Sequence, residues 1–160
     1  MLEFCQWLDQ TSVGTTIRQS LWLFPAIETV HLLGMAALVG TITVLDLRLL
    51  GWAARQQRVS LVAARLIPWA WVGFCLQVVT GVLLFSSEAV KIYGNPAFRL
   101  KMLLLLLAGV QALVFQVIIS PKLASSDELP SPPLAVKATG AISILLWIGV
   151  VTAGRFIGFV

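Results

Sequence analysis

Charged residues are scarce in this chain of 160 residues, because Asp, Glu, Lys and Arg together make up only 11% of it. About a quarter of the residues of an average soluble domain are charged, so an ordinary soluble domain is excluded. The basic residues give a formal net charge of +4 but are scattered and form no basic stripe. We therefore expect no nucleic-acid partner. No polar segment is longer than about 20 residues, which leaves little room for an active site outside a membrane.

Histidine and cysteine are nearly absent as well. The chain has one histidine, His31, and two cysteines, Cys5 and Cys75. Cys75 lies in the middle of an apolar run and Cys5 in a segment expected at a surface, so we expect neither a disulfide nor a metal site. A haem with two histidine ligands would need a second histidine, and no nucleophile with a paired base is visible. The sequence offers no catalytic residues, which favours a protein that is not an enzyme.

What the chain does contain is four long apolar runs, at residues about 21–44, 66–87, 98–119 and 138–159. Each is about 20 residues long, the length of helix that crosses a hydrocarbon core of roughly 30 Å. Asn95 and Pro96 suit the N-cap and the first turn of the third helix. The runs predict one integral membrane domain over residues 1–160, with an all-α fold and a four-helix transmembrane bundle.

The N-terminal segment predicts a further, shorter helix. Met1–Gln10 contains Glu3 and Asp9 but no Lys or Arg, so it lacks the basic region of a signal peptide. Its apolar residues suit one face of a helix that lies on the membrane surface. We therefore expect a short N-terminal interfacial amphipathic helix over residues about 2–18.

The basic residues predict an orientation. The first and third connections between spans carry most of them, and the opposite side, helix ends aside, carries only two. These are Arg48, Arg55, Arg58, Arg65, Lys122 and Lys137 against Arg18 and Lys91. Because loops rich in Lys and Arg stay in the cytoplasm, we predict that the first and third connections are cytoplasmic and that both termini lie outside.

Polar side chains within the spans are the candidates for function, because ionisable groups in a bilayer are costly and often functional. By residue count they lie in one half of the bilayer, and they form a candidate cofactor-binding set: His31, Glu28, Lys101, Arg155, Gln77 and Gln111. We expect His31 to point into the bundle, at a depth similar to that of Gln77 and Gln111. We also expect Glu28 to contact Lys101 or Arg155, because a lone carboxylate is costly in lipid.

A structural interpretation of the same residues stays open. Lys101 and Arg155 lie near helix ends, where long cations reach back to the surface, and glutamines hydrogen-bond between helices. Asp46 with Arg48 suits an interfacial helix end. Gly154 and Gly158 match the GxxxG pattern of close helix contacts, which predicts packing in the bundle or self-association.

Several phrases together resemble a known family. They are Pro25–His31, Asp46–Gly51, Ile67–Trp69, Thr80–Gly81 and Asn95–Lys101. The chain is similar, over roughly residues 22–116, to an uncharacterised family of small four-helix bacterial inner-membrane proteins, a domain of unknown function. It is loosely similar to copper-resistance D and b-type cytochrome bundles. The resemblance implies a bacterial inner (plasma) membrane, in which the termini that the basic residues place outside would be periplasmic. It also implies that a second haem ligand is missing, since relatives carry Asn and His where this chain has Gln111 and Gln116.

Three functions follow as hypotheses. The first is a small non-enzymatic accessory or structural subunit of a larger membrane complex, whose partners are the lipid bilayer and other membrane subunits. The second is a membrane redox protein that binds haem b or a quinone at the Glu28/His31 face. The third and weakest is a small transporter or proton path through Glu28, His31 and Asp46.

Overall fold

The computed structural model describes residues 2–54, 56–123 and 132–159, and these residues form helices and connections without a strand. The helices are α1 (Leu2–Asp9), α2 (Ser12–Gln19), α3 (Leu23–Leu49), α4 (Val59–Ser87), α5 (Ala89–Gly94), α6 (Pro96–Val114) and α7 (Leu134–Phe156). A π-helical turn (Phe115–Ile119) and a 3-10 turn (Ser120–Lys122) continue α6. The all-α prediction is confirmed.

Four of these helices are long and apolar enough to cross a membrane: Leu23–Leu49, Val59–Ser87, Pro96–Ile119 and Leu134–Phe156. Two of them extend past the predicted runs, because α3 continues to Leu49 and α4 already begins at Val59. Gly51 then turns the chain with φ +79°, a conformation that glycine adopts readily after a helix end. The first connection, for which the predicted runs leave residues 45–65, is therefore much shorter, because it lies between the end of α3 at Leu49 and the start of α4 at Val59.

The predicted cap of the third span is confirmed. Asn95 Oδ1 accepts hydrogen bonds from the backbone N–H groups of Ala97 and Phe98, at 2.9 and 3.3 Å. The Asn95 amide also donates to the carbonyl oxygen of Ile157 at 3.0 Å. One side chain therefore begins α6 and fixes it to the end of α7.

The N-terminal segment forms two short helices rather than one. The chain breaks at Thr11, whose hydroxyl accepts a hydrogen bond from Gly14 N at 3.2 Å and so caps α2. Gly14 packs so closely on α4 that a Cβ there would lie 2.5 Å from Ser86 O. Trp7 stays 62% exposed, as an interfacial helix requires. The two helices are thus docked on the bundle at the end of α4.

The spanning helices pack in a definite order, in which α4 lies against α3, α3 against α7, and α7 against α6. Small residues set the close approaches. A Cβ on Gly73 would lie 3.0 Å from the backbone of Leu38, and one on Gly140 would lie 2.9 Å from Asp46 O. These contacts fix α3 between α4 and α7.

Buried apolar side chains are concentrated where α3 ends and α4 and α7 begin. The cluster consists of Leu45, Leu49, Val59, Val62, Ala63, Phe115, Leu123 and Val136. All four spanning segments therefore meet at this end, which also contains Asp46 and which we call the aspartate end. The opposite end, with His31, is called the histidine end.

Candidate functional site

His31 lies on α3 and is held by α4. Its Nδ1 is 2.7 Å from Thr80 Oγ1. The ring packs beside Gly81, where a Cβ would lie at an ordinary contact distance of 3.5 Å from His31 Cε1. The imidazole is half-buried and turned toward the neighbouring helix. The expectation that His31 points into the bundle agrees with this packing.

The hydrogen bonds around Thr80 assign the tautomer of His31. Thr80 has one hydroxyl proton, and its oxygen is 2.6 Å from the carbonyl oxygen of Leu76. That short contact requires the hydroxyl to donate to Leu76, since two oxygens at this distance repel without a proton between them. Thr80 Oγ1 then accepts from His31 Nδ1–H. The neutral ring consequently keeps its free lone pair on Nε2.

Nε2 has no hydrogen-bond partner among the residues that the structure describes. A ring whose Nδ1–H is fixed by a neighbour presents Nε2 as an acceptor or a metal ligand in a set orientation. Thr80 is 5% exposed, so its bond to His31 is shielded from water. Among the described residues, Nε2 is thus the ring nitrogen of His31 that has no hydrogen bond.

Gln77 is the second predicted residue that reaches His31. Its Nε2 donates to the backbone carbonyl oxygen of His31. Gln77 and Thr80 are three residues apart and share one face of α4. A Cβ on Gly34 would lie 3.3 Å from Gln77 Nε2, so the absence of a side chain there gives the amide its place. The amide ties α3 to α4 one turn from the ring.

Lys101 approaches from α6. A Cβ on Gly154 of α7 would lie 3.4 Å from Lys101 Nζ, so the side chain lies directly on the backbone of α7. Gly154 belongs to the last turns of α7, so Lys101 lies at the histidine end of the bundle. In the part of the chain that is described, no carboxylate lies within 4.0 Å of Lys101. Hydrogen bonds thus join two of the predicted residues, His31 and Gln77, with Thr80. We call these three residues, with Lys101 at the same end of the bundle, the histidine cluster.

Glu28 and Arg155 do not join this cluster. Glu28 is exposed on α3. The ion pairs among described residues are Arg18–Asp9 and Lys91–Glu88, so the predicted contact of Glu28 with Lys101 or Arg155 is wrong. The guanidinium of Arg155 lies 5.2 Å from the ring centre of Phe159 instead. Both charges are near helix ends, where side chains reach the headgroups without a protein partner.

Gln111 lies at the other end of the bundle. Its Nε2 donates to Thr139 O at 3.2 Å, and the next residue, Gly140, packs on Asp46. Ten residues separate Gln111 from Lys101, which is about 15 Å of helix. The expectation that Gln111 lies at the depth of His31 is therefore wrong. Its role there is to connect α6 with α7.

Two polar features were missed by the sequence analysis. Thr80 was noted only within the resemblance, although its spacing from Gln77 places both on one face. Asp46 is not exposed at an interface: it is 3% exposed, and Ser143 of α7 hydrogen-bonds its carboxyl group. Nothing in the local sequence marks this burial, because it depends on the packing of α7 against the last turns of α3.

The chain matches the family described as "Family of unknown function (DUF6644)" over residues 4–160. It belongs to this family, which confirms the resemblance to an uncharacterised membrane family and extends it to nearly the whole chain. The looser similarity to copper-resistance D and cytochrome bundles is not shown by these comparisons. No curated protein and no solved structure matches the chain.

Proposed function

We propose, for a member of a family without an assigned activity, that the histidine cluster binds a membrane-soluble quinone or quinol. The observation that carries the proposal is the lone pair left on His31 Nε2 once Thr80 has fixed Nδ1–H. A quinol hydroxyl donates to such an acceptor, and the Lys101 ammonium donates to an oxygen of the same headgroup. The surrounding helix faces are apolar, as an isoprenoid tail requires.

The donor set favours this ligand over a soluble one. The cluster lies within the spanning helices α3, α4 and α6, where a ligand reaches it from the bilayer. A polar ligand would need several further hydrogen bonds to replace its hydration. A quinol has two ring hydroxyl groups: one can donate to the acceptor that the cluster supplies, His31 Nε2, and the oxygen of the other can accept from the cationic donor, Lys101.

Titration of the purified protein with a short-chain quinol, followed by the shift in Tm, tests the proposal. Lys101→Gln removes a charge-assisted hydrogen bond and should weaken binding about tenfold, or ~1.4 kcal/mol. His31→Leu should abolish binding. The matched control is Arg99→Gln, because Arg99 is on the same helix but exposed over Tyr93, 5.6 Å from the ring centre. Equal loss in Arg99→Gln, or none in His31→Leu, would refute the site.

Haem b is the second candidate, because a neutral imidazole with a free Nε2 is also an axial iron ligand. Lys101 would then receive a propionate. An absorption spectrum separates the two: a Soret band that disappears in His31→Leu favours haem, and its absence alongside a quinol-induced rise in Tm favours the quinone.

The accessory-subunit role stays a prediction, and it is compatible with a ligand site. Self-association through Gly154 and Gly158 has less support, because Lys101 of the same chain already covers Gly154. Gly158 is exposed and remains open to a partner. Cross-linking in native membranes tests for a partner, and Gly158→Ile should remove a dimer built on that contact.

The orientation also stays a prediction. Thiol labelling from the outside distinguishes the two arrangements in a cysteine-free variant. Gly158→Cys should react with an impermeant reagent in intact cells, and Arg58→Cys only after lysis, if the aspartate end faces the cytoplasm of a bacterial inner membrane. The reverse pattern would invert every assignment of side.

A further inference from the structure

We infer that Asp46 is a proton-binding site, held as a neutral carboxylic acid between α3 and α7. This site is separate from the histidine cluster and does not depend on the proposed function. Asp46 follows His31 by fifteen positions, about 22 Å along the helix, and the buried side chain of Leu38 lies between them. The proton on Asp46 is therefore too far from His31 to be shared with the histidine cluster.

The first argument is burial without full hydrogen bonding. Asp46 is 3% exposed, and its Oδ2 is the buried side-chain oxygen that has no partner among the described residues. Ser143 hydrogen-bonds the carboxyl group. The backbone of Asp46 is closely packed too, since a Cβ on Gly140 would lie 2.9 Å from Asp46 O. A carboxylate accepts several hydrogen bonds and rarely persists in a buried place with one oxygen bare.

The second argument is the absence of a counter-charge. On α3 itself, Arg48 is buried, but its Nε and Nη2 both donate to Gln57 O, at 2.9 and 2.6 Å. On α4, Arg58 and Arg65 are exposed, and Lys137 of α7 is half-buried. None of the described cations lies within 4.0 Å of the Asp46 carboxyl group. An ionised Asp46 would be an unpaired charge inside a membrane protein.

The third argument is that the described residues offer no metal site to the free oxygen. Hard cations take about six or more oxygen ligands. The described residues contain no group of three His, Cys, Asp or Glu side chains that could hold a metal, and the Asp46 carbonyl oxygen already accepts from Leu50 N at 2.9 Å. A proton needs none of these additional ligands.

The neutral acid makes the contact of α3 with α7 sensitive to pH. Protonated, the carboxyl group lies in the apolar cluster and keeps its bond to Ser143. Ionised, it places a charge where Gly140 brings the two backbones together, and the separation of α7 from α3 would let water reach it. Loss of the proton should therefore loosen the aspartate end and leave the histidine cluster in place.

Infrared spectroscopy tests the protonation state directly. The chain has three aspartates, Asp9, Asp46 and Asp127. We expect a carboxylic acid C=O band near neutral pH that shifts to lower frequency in protein labelled with ¹³C in the aspartate carboxyl groups. The band should persist in Asp9→Asn, be lost in Asp46→Asn, and disappear as the pH is raised until the acid ionises.

A double variant covers the case in which Asp46→Asn does not fold. In Asp9→Asn with Asp127→Asn, Asp46 is the one aspartate left, so the label-sensitive band belongs to it without any change at the site. Absence of an acid band in the labelled double variant at neutral pH would overturn the inference, as would a band that survives in Asp46→Asn.

Discussion

The helices of the bundle contact each other in different ways at its two ends. At the aspartate end, apolar side chains from all four spanning segments meet, and Leu49 is 1% exposed. At the histidine end, single hydrogen bonds such as that between His31 and Thr80 connect the helices. Glycines such as Gly34 let the helices approach each other there. The difference indicates that the aspartate end holds the bundle together, whereas the histidine end keeps the unused lone pair on His31 Nε2 on which the proposed function rests.

The largest expected effect comes from a cavity at the aspartate end. Leu49→Ala should lower the free energy of unfolding by about 2–5 kcal/mol, because the buried methyl groups leave a void that the helices cannot fill. The matched control is Leu106→Ala, whose side chain is 65% exposed on α6 and should change stability by less than ~0.5 kcal/mol. Reversible unfolding in mixed micelles gives both values. Equal effects would show that the aspartate end is not the anchor.

Glycines at the two ends should respond differently to alanine. Gly140→Ala places a Cβ 2.9 Å from Asp46 O and 3.1 Å from Leu49 Cβ, so it should cost about 1–3 kcal/mol. Gly81→Ala makes an ordinary contact of 3.5 Å with His31 Cε1, and the better helix propensity of alanine should offset it, up to ~1 kcal/mol. The same unfolding assay compares them. A costly Gly81→Ala would mean that the histidine end is as tightly packed as the other.

A change at Thr80 tests whether its hydroxyl orients His31 by a hydrogen bond or only fills space beside it. Thr80→Val keeps the shape but leaves His31 Nδ1–H without its acceptor, which should cost about 1–2 kcal/mol and weaken quinol binding. Thr139→Val is the control, because the Thr139 hydroxyl donates only to Ala135 O within its own helix, at 2.8 Å. Unfolding and quinol titration are measured on both. Unchanged binding in Thr80→Val would remove the basis for the assigned tautomer.

The smallest effect on stability is expected at the N-terminal helices α1 and α2, which pack against the end of α4 at the histidine end. Arg18 and Asp9 form an ion pair of 2.7 Å with 42% and 25% of their side chains exposed. Solvent screens such a pair, so Asp9→Asn should cost only about 0.2–1 kcal/mol, and less at high salt. Unfolding at two salt concentrations checks this. A larger, salt-independent loss would mean that α1 and α2 are part of the anchor.

Much of the fold could be predicted from the sequence because the bilayer constrains it. A run of about 20 apolar residues has few alternatives to a spanning helix, and Asn95–Pro96 marks a helix start by local chemistry alone. The extensions of α3 and α4 could not be seen in the same way. Residues such as Val59 look like part of a polar connection, and only the packing of four helix ends explains their burial.

The site was predicted less well because it depends on how neighbouring helices are offset along their axes. Counting residues placed Gln111 beside His31, whereas the real contact of α6 with α7 puts it beside Thr139. Glu28 was given a partner from the cost of a lone charge, but its place near a helix end lets it reach the headgroups. Gln77 does contact His31, since α3 and α4 are a closely packed pair of helices, whereas the place of Lys101 beside His31 stays a prediction.

The hydrogen bond that the Thr80 hydroxyl donates to the carbonyl oxygen of Leu76 has a consequence for the rate of proton exchange. If the proposed quinol transferred a proton to His31 Nε2, the resulting imidazolium would still donate Nδ1–H to the same Thr80 oxygen, and neither side chain would have to rotate. The hydroxyl dipole that orients the neutral ring therefore also solvates the charged one. A proton can arrive and leave with little reorganisation of the protein, so exchange at this histidine would be limited by the movement of the ligand rather than by the side chains around it.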